Sequence, residues 1–408
     1  MTKSEKINLI STILLIGFAI GIYYHFVVMG FYVGKSYPFN SFLHNPAIVF
    51  SDIHDEVFNT KDLHPYQLAP SERHTISVYF PFAFIFIYPF SLISVKTTFI
   101  IFLLTFIGTL VAANYYFLKE ENTDKVSLLR NVFIFSFLTF PFLFEIDRAN
   151  IESFVFIFSV IFLLLYQRKK TYLAAIFLSF ATAMKIYPGV LFFLLLKDKK
   201  YKEFIFGAFF TLAISLISLA MMRGSFVDNF HGLISESNTG KLFFGTTIAP
   251  IGIVQSSTLF GLIKIFIILL NLDLMNHLDK VFMYFSVLTI FVGIGLYFYL
   301  MRENDLWKIV LILTCCTLLF NYVSFAYRMI HLFIPLWLFL NHKEKSKYDL
   351  QYCFLFALLL IPMGYRIFPH AMHGSYDIAA VLNPLLMISL IVLIIKENLI
   401  SIRNNDKK

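Results

Sequence analysis

A cluster of ionisable side chains interrupts an apolar part of this chain. Four of them occur within eight positions: Glu145, Asp147, Arg148 and Glu152. At the centre of a membrane helix, Asp or Arg costs roughly 2.5–3.5 kcal/mol. We therefore expect these groups to face a water-filled cavity, pair with one another or bind a polar ligand, rather than face lipid. The alternative interpretation is an ordinary exposed loop.

The apolar runs on either side of this cluster favour the cavity. They cover residues 131–145 and 151–166, whereas about 20 apolar residues are needed to cross the hydrocarbon core of a bilayer. Short helices that end in charged residues predict a water-filled cavity that extends into the membrane.

A second group of acidic side chains follows the first apolar run, within the segment Phe50–Phe58. It contains Asp52, Asp55 and Glu56 beside His54. A carboxylate at a membrane boundary can act as general base for a hydroxyl acceptor, or it can hold a divalent cation. A solvated acidic loop is the alternative.

Further along the chain, three cationic side chains are candidate phosphate ligands. Lys185 lies inside an apolar hairpin and would either bind a phosphate or extend its charge to the interface. Arg328 and His331 are about one helical turn apart and share a face. That face would either meet a phosphate or anchor the helix at the membrane surface. A metal site at the looser group His370, His373 and Asp377 is not favoured, because its spacing matches no recognised site.

Composition predicts an all-α, polytopic membrane protein. Hydrophobic residues make up 59% of the 408 residues and charged ones 14%, and the mean hydropathy is +0.76. These values exclude an ordinary soluble domain. The net charge of +8 does not indicate nucleic acid, because the basic residues cluster in short loops, as the positive-inside rule expects.

The distribution of Lys and Arg predicts the orientation. Basic loops occur near residues 3–6, 119–130, 168–170, 197–202, 302–308, 343–347 and 396–408. We assign these loops, and both termini, to the cytoplasm. The opposite face carries ten of the eleven histidines, all but His342. The polar chemistry is therefore predicted on the non-cytoplasmic face.

The topology implied by these loops is one integral-membrane domain over residues 1–408. It has about ten transmembrane helices plus re-entrant half-helices at 78–94 and 171–196, where prolines break the apolar runs. Within it we distinguish a first external loop at 34–77, a motif-bearing core at 146–189 and a second external region at 223–280.

Four motifs together resemble one family of enzymes. Arg148–Ser153 resembles the pattern Arg-Gly-Asn-x-Glu-Ser, and Met184–Pro188 is similar to a Lys-Ile-Tyr-Pro motif at the matching separation. Ser51–Phe58 resembles an Asp-x-Asp segment, and Tyr79–Phe82 a Tyr-Pro-Pro element. The chain thus resembles integral-membrane glycosyltransferases of the GT-C superfamily, in particular glycosyltransferase family 87 and the catalytic subunit of GPI mannosyltransferase I.

The chain departs from these patterns at two positions. His54 stands at the second acidic position of the Asp-x-Asp segment, and Ala149 stands where the motif has glycine. The resemblance covers about the first half of the chain and fades after residue 225, apart from the region of Arg328 and His331.

The resemblance implies a GT-C-like fold and a polyprenyl-phosphate sugar donor, with mannose as the expected hexose. It also implies inversion at the sugar and a glycan or lipid-linked acceptor on the non-cytoplasmic face. Asp52 would be the catalytic base. The substrate-binding residues would be His54, Asp55, Tyr79, Arg148, Asn150, Glu152, Lys185, Tyr187, Arg328 and His331. Lys185 and Arg148, with Arg328 or His331, would stabilise the departing lipid phosphate.

Two other functions stay open from the sequence. One is a polymerase or ligase of lipid-linked glycans, which the small number of external arginines disfavours. The other is a transporter or flippase of a lipid-linked anionic substrate, which would show inverted repeats. The Lys-, Ile-, Asn- and Phe-rich composition favours a bacterial plasma membrane. The sequence identifies neither the acceptor nor an accessory subunit, and a divalent cation is an open possibility.

Overall fold

The computed structural model describes residues 1–32, 34, 50–66, 79–120, 124–246, 256–270, 274, 277–362, 366–367 and 376–405. These residues are almost entirely helical, apart from a short antiparallel pair, Arg366–Ile367 with Tyr376–Asp377. The predicted all-α class is confirmed. His370, His373 and most of the predicted loop at 34–77 lie outside the described residues.

The first half of the chain, which contains the four sequence motifs, is largely helical in its described residues. In order they are α1 (Lys3–Ile22, continued as a π-helix over Tyr23–Tyr32), α2 (Ser51–Thr60), α3 (Pro81–Ser91), α4 (Val95–Leu118), α5 (Lys125–Phe137), α6 (Phe140–Arg148), α7 (Glu152–Gln167) and α8 (Thr171–Met184). A 3-10 turn (Tyr187–Phe192), α9 (Phe193–Lys197), α10 (Tyr201–Met221) and α11 (Phe226–Thr246) follow.

The second half continues with α12 (Leu259–Leu269), α13 (Leu278–Arg302), α14 (Leu306–Leu319), a 3-10 turn (Ala326–Leu332), α15 (Phe333–Leu340), α16 (Asp349–Leu360) and α17 (Ala379–Asn405). Among the described residues, five helices are long and apolar enough to cross a membrane, or six if α5 and α6 form one bent span. The chain is a polytopic membrane protein. The predicted count of about ten spans, the re-entrant half-helices and the cytoplasmic termini stay predictions.

The chain divides into two compact units. One consists of Ile48–Thr109 and Glu145–Thr247 and is called the motif unit; the other consists of Met1–Ala47, Leu110–Phe144 and Ile248–Lys408 and is called the companion unit. The single integral-membrane domain stays a prediction.

In the motif unit, α8 packs between α7 and α10, while α3 packs against α2, α8 and α10. A core of buried apolar side chains, the motif core, forms where these helices meet; it includes Ile53, Val57, Ile87, Ile151 and Met184. Phenylalanine rings cover this core, and Phe86 contacts both Phe154 and Phe158 edge-on. Many small contacts between large rings give the unit a rigid interior.

The turn between α6 and α7 depends on a left-handed residue. Ala149 has φ +51°, and its backbone N–H donates to the Glu145 carbonyl at 2.7 Å, which closes α6 as a left-handed cap does. This position suits glycine, because a side chain in the left-handed region costs about 1–2 kcal/mol. The glycine of the related motif thus has a conformational reason.

We expect Ala149→Gly to raise the free energy of unfolding by about 1 kcal/mol, because it relieves this backbone strain. Thermal unfolding of the detergent-solubilised protein measures the change. Ala181→Gly is the matched control: Ala181 is equally buried but lies inside α8, so the same substitution there should destabilise by about 0.5–1 kcal/mol. Equal effects at the two positions would contradict the assignment of strain to Ala149.

Pro188 determines where α8 ends. A proline inside a helix clashes with the carbonyl four residues earlier, which here belongs to Met184, the last residue of α8. Lys185 is consequently extended, with φ −142° and ψ 126°. The predicted break in the run 171–196 therefore lies at Lys185, and this break turns its side chain out of the regular helix.

In the companion unit, α1 packs against α5 and α16, and α14 packs against α15 and α17. Two buried polar contacts fix this packing. The Trp337 indole N–H donates to Asn114 Oδ1 at 2.9 Å, and the buried Lys6 ammonium lies 3.1 Å from Asp349 Oδ1.

Candidate functional site

The amide of Asn150 is the centre of a polar network in the motif unit. Its Nδ2 donates to Asp52 Oδ2 at 2.7 Å and to the Tyr79 hydroxyl at 3.0 Å. Its Oδ1 accepts from Lys185 Nζ at 2.7 Å and from the Glu152 backbone N–H at 3.0 Å. An amide offers two donors and two acceptor positions. Asn150 therefore uses its full capacity, which fixes its orientation.

Two ion pairs flank this amide. Arg148 Nη2 donates to Asp52 Oδ1, and Lys185 Nζ lies 2.8 Å from Glu152 Oε2. The side chains of Asp52 and Arg148 are 16% and 14% exposed, whereas those of Lys185 and Glu152 are 7% and 0% exposed. The network thus has an accessible end at Asp52 and a buried end at Glu152.

Backbone contacts hold α2 against the turn between α6 and α7. The Phe50 N–H donates to the Asp147 carbonyl at 2.8 Å, and the Ile151 N–H approaches Glu56 Oε1 at 3.5 Å. These contacts explain why residues about 100 positions apart in sequence share one site. Tyr79 closes the network: the Lys185 ammonium lies 5.1 Å from its ring centroid.

Glu56 and Glu145 belong to the two acidic clusters of the sequence, but neither was among the predicted site residues. Both are buried. Glu145 Oε1 accepts from the Ser153 N–H at 3.1 Å, and one oxygen of each carboxylate lacks a hydrogen-bond partner within the described ranges. The signal for Glu56 was its spacing: it follows Asp52 by four residues, which places both on one helix face. The signal for Glu145 was its place in the charged cluster with Asp147, Arg148 and Glu152.

The surroundings of Glu56 disfavour its ionised form. It lines a cavity of about 10 Å³ whose other walls are almost entirely apolar, among them Ile87, Phe102 and Phe154. Burial, followed by the negative charge of Asp52, raises the pKa of Glu56 from its ordinary value near 4.5 to about 8. Folded protein therefore keeps a proton that unfolded protein releases between these two pH values.

Stability should consequently fall as pH rises from about 4.5 to about 8, because the folded state binds the extra proton there. Glu56→Gln removes this ionisation. We expect its melting temperature relative to wild type to increase steadily across that pH range and to level off above it. Thermal unfolding at several pH values measures this difference. The exposed Glu120→Gln variant is the control and should follow wild type; a pH-independent difference for Glu56→Gln would contradict the interpretation.

The contacts described above do not involve the other predicted site residues. His54 Nδ1 and Asp55 Oδ1 lie 3.3 Å apart, on the helix that carries Asp52. Tyr187 packs against the motif core. Arg328 and His331 belong to the companion unit, where the Arg328 guanidinium donates to the Val323 carbonyl at 3.3 Å. Their proposed contacts with substrate stay predictions.

A divalent cation at the acidic segment around Asp52 stays a prediction. Both Asp52 oxygens accept from nitrogen donors, Arg148 and Asn150. Within the described part of the chain, the one group of His, Cys, Asp or Glu side chains close enough to share an ion lies in the companion unit.

Fold and site together define an all-helical membrane protein with a partly exposed carboxylate that is paired with one cation and joined through Asn150 to a second. The sequence model of glycosyltransferase family 87 matches residues 78–324, which is more than half of the chain. The protein therefore belongs to glycosyltransferase family 87, as its motifs predicted, and is a membrane glycosyltransferase. Arg148 and Lys185 lie inside the matched range, and Asp52 precedes it. No curated protein and no solved structure matches the chain.

Proposed function

We propose that this glycosyltransferase moves a hexose, mannose, from a polyprenyl-phosphate sugar to a lipid-linked or glycan acceptor. The reaction takes place on the non-cytoplasmic face of a bacterial plasma membrane and inverts the configuration at the sugar. The observation that carries the proposal is the network in which Asp52, Arg148 and Lys185 are joined through Asn150.

Asp52 is suited to the role of general base. Its carboxylate is at the accessible end of the network, where an acceptor hydroxyl can reach it, and two donors hold it in a defined orientation. In the reaction, the acceptor O–H gives its proton to Asp52 while the acceptor oxygen forms a bond to the anomeric carbon. A positioned base of this kind contributes about 10²–10⁴-fold to a rate.

Arg148 and Lys185 are suited to stabilise the leaving group. When the bond between the anomeric carbon and the phosphate oxygen breaks, its electron pair stays on the lipid phosphate, which gains negative charge. Fixed cations at that position stabilise the transition state more than the ground state. Lys185 acts as a point charge, whereas Arg148 can bind two phosphate oxygens.

The remaining members of the network position the sugar. We assign Asn150 and Glu152 to the sugar hydroxyls, which would replace hydrogen bonds that these two side chains now make within the network. Tyr79 offers a hydroxyl and a ring face beside Lys185. We assign His54, Asp55, Tyr187, Arg328 and His331 to further substrate contacts. A donor anchored in lipid fits the high apolar content of the chain.

The test uses purified protein in detergent with polyprenyl-phosphate mannose and a total lipid extract as the acceptor source. We expect release of polyprenyl phosphate and a product heavier by one hexose, both detected by mass spectrometry. The anomeric configuration of the product, measured by NMR, should be opposite to that of the donor.

A parallel reaction with a sugar nucleotide as the donor is the control, and it should give no product. Transfer from the sugar nucleotide, or retention of configuration, would overturn the proposal. The same reaction is also run with polyprenyl-phosphate glucose as the donor. Faster transfer from this donor than from polyprenyl-phosphate mannose would overturn the choice of mannose.

A further inference from the structure

The companion unit contains a large cavity, lined by many charged and polar residues, that the proposed reaction does not use. Its volume is about 900 Å³, and its walls come from three segments, residues 295–308, 342–349 and 395–399. All three adjoin loops that the distribution of Lys and Arg assigns to the cytoplasm. His342, the one histidine that we assigned to these loops, lines the cavity.

Three side chains in this cavity converge on one point. Asp305, His342 and Glu344 each offer a ligand atom, and these atoms lie within 4.8 Å of one another. His342 Nε2 is 3.8 Å from Asp305 Oδ1, which is too long for a hydrogen bond. Two atoms that bind the same zinc ion at about 2.0–2.2 Å lie about 3–4 Å apart, so this separation suits a shared ion.

Neighbouring charged side chains leave these ligand atoms available to an ion. Lys308 Nζ contacts Asp305 through Oδ2 at 2.8 Å and also approaches Glu397 Oε2 at 3.2 Å. Asp305 Oδ1 still faces His342. Glu303, another carboxylate in the cavity wall, accepts from the backbone N–H groups of residues 304 and 305 at 2.8 and 2.9 Å. Among the residues that the structure describes, the ligand set consists of Asp305, His342 and Glu344.

An indole nitrogen provides an independent sign of a ligand. Trp307 is 2% exposed and lines the same cavity, and its Nε1–H has no hydrogen-bond acceptor among the described residues. An indole N–H can only donate, and a buried donor without an acceptor is costly. A water molecule or anion bound to an ion in this cavity would supply the acceptor.

We propose that Asp305, His342 and Glu344 form a binding site for a zinc-class divalent ion. One imidazole and two carboxylates are ligands that such ions prefer, whereas magnesium prefers oxygen ligands alone. The ion would join the segment before α14 to the segment after α15, and its remaining position would open toward the cavity. This site is independent of the transfer reaction proposed above.

The test measures zinc directly. Protein purified without a polyhistidine tag is stripped with a chelator, incubated with zinc chloride and freed of excess metal. Mass spectrometry for metals should then find about one zinc ion per chain in wild type. Glu344→Gln and His342→Ala should each weaken binding at least about tenfold in calorimetry. Glu344 is exposed, so its substitution does not threaten folding.

His231→Ala is the matched control, because His231 is an exposed histidine of the motif unit, and it should bind zinc as wild type does. Tryptophan emission gives a second readout, since zinc should change it in wild type but not in Glu344→Gln. Wild-type protein without zinc, or equal binding by wild type and both ligand variants, would overturn the proposal. An equal affinity for magnesium would overturn the assignment to a zinc-class ion.

Discussion

Replacing Asp52 by asparagine is expected to reduce sugar transfer by about 10²–10⁴-fold, the contribution of a positioned general base. Asparagine keeps the shape of the side chain and can still accept hydrogen bonds, but it cannot take a proton from the acceptor hydroxyl. The loss should appear in kcat, measured with polyprenyl-phosphate mannose. Donor affinity should change little, because the cations that bind the phosphate remain.

The control for this variant is Asp62→Asn, which makes the same chemical change at an exposed position shortly after α2. It should transfer sugar at the wild-type rate. Because an asparagine side chain has one acceptor oxygen and Asp52 now accepts from both Arg148 and Asn150, the substitution should lower the melting temperature modestly. Transfer is therefore measured at a temperature at which the variant is folded. Full activity of Asp52→Asn would remove Asp52 from the mechanism, and equal losses in both variants would point to a general effect of charge.

Replacing Lys185 by methionine should have two separate effects. It should abolish transfer, because the departing phosphate loses a fixed cation. It should also destabilise the protein by about 3–5 kcal/mol, because Glu152 would stay buried and charged without its partner. Sugar transfer and thermal unfolding, measured on the same preparation, report the two effects.

A double variant separates these effects. Lys185→Met with Glu152→Gln removes both charges of the buried pair, and should recover most of the lost stability. Transfer should stay absent, since the phosphate still lacks its cation. Lys200→Met, at an exposed position, is the control for loss of a lysine. Recovery of transfer in the double variant would show that Lys185 matters for folding alone.

The network shows which members of the site could be predicted from the motifs and their spacing. Arg148, Asn150 and Glu152 are close in sequence, so their proximity needed no fold. Lys185 and Asp52 could be assigned to the same site only by the resemblance to a family. The predicted site residues do not include Glu56, although it lies one helical turn from Asp52. The sequence of an acidic segment gives no indication of which carboxylate becomes buried in the fold.

The sequence alone determined the class of protein and the family. Apolar composition and charged loops predict a polytopic helical membrane protein, because each residue's preference for lipid or water is a local property. The motifs at 148–153 and 184–188 indicated the glycosyltransferase family for the same reason, because each is a short run of neighbouring residues that can be recognised without the fold. The break in the run 171–196 followed in the same way from its proline.

The tertiary structure decided which side chains meet and which are buried. It showed that Asn150 joins Asp52 to Lys185, that Ala149 is left-handed, and that Asp305 and His342 lie side by side. Each of these depends on how segments distant in sequence pack, and packing combines many weak contacts that no single position encodes. Sequence patterns therefore indicated which residues could do chemistry, whereas the pairing of those residues came from the fold.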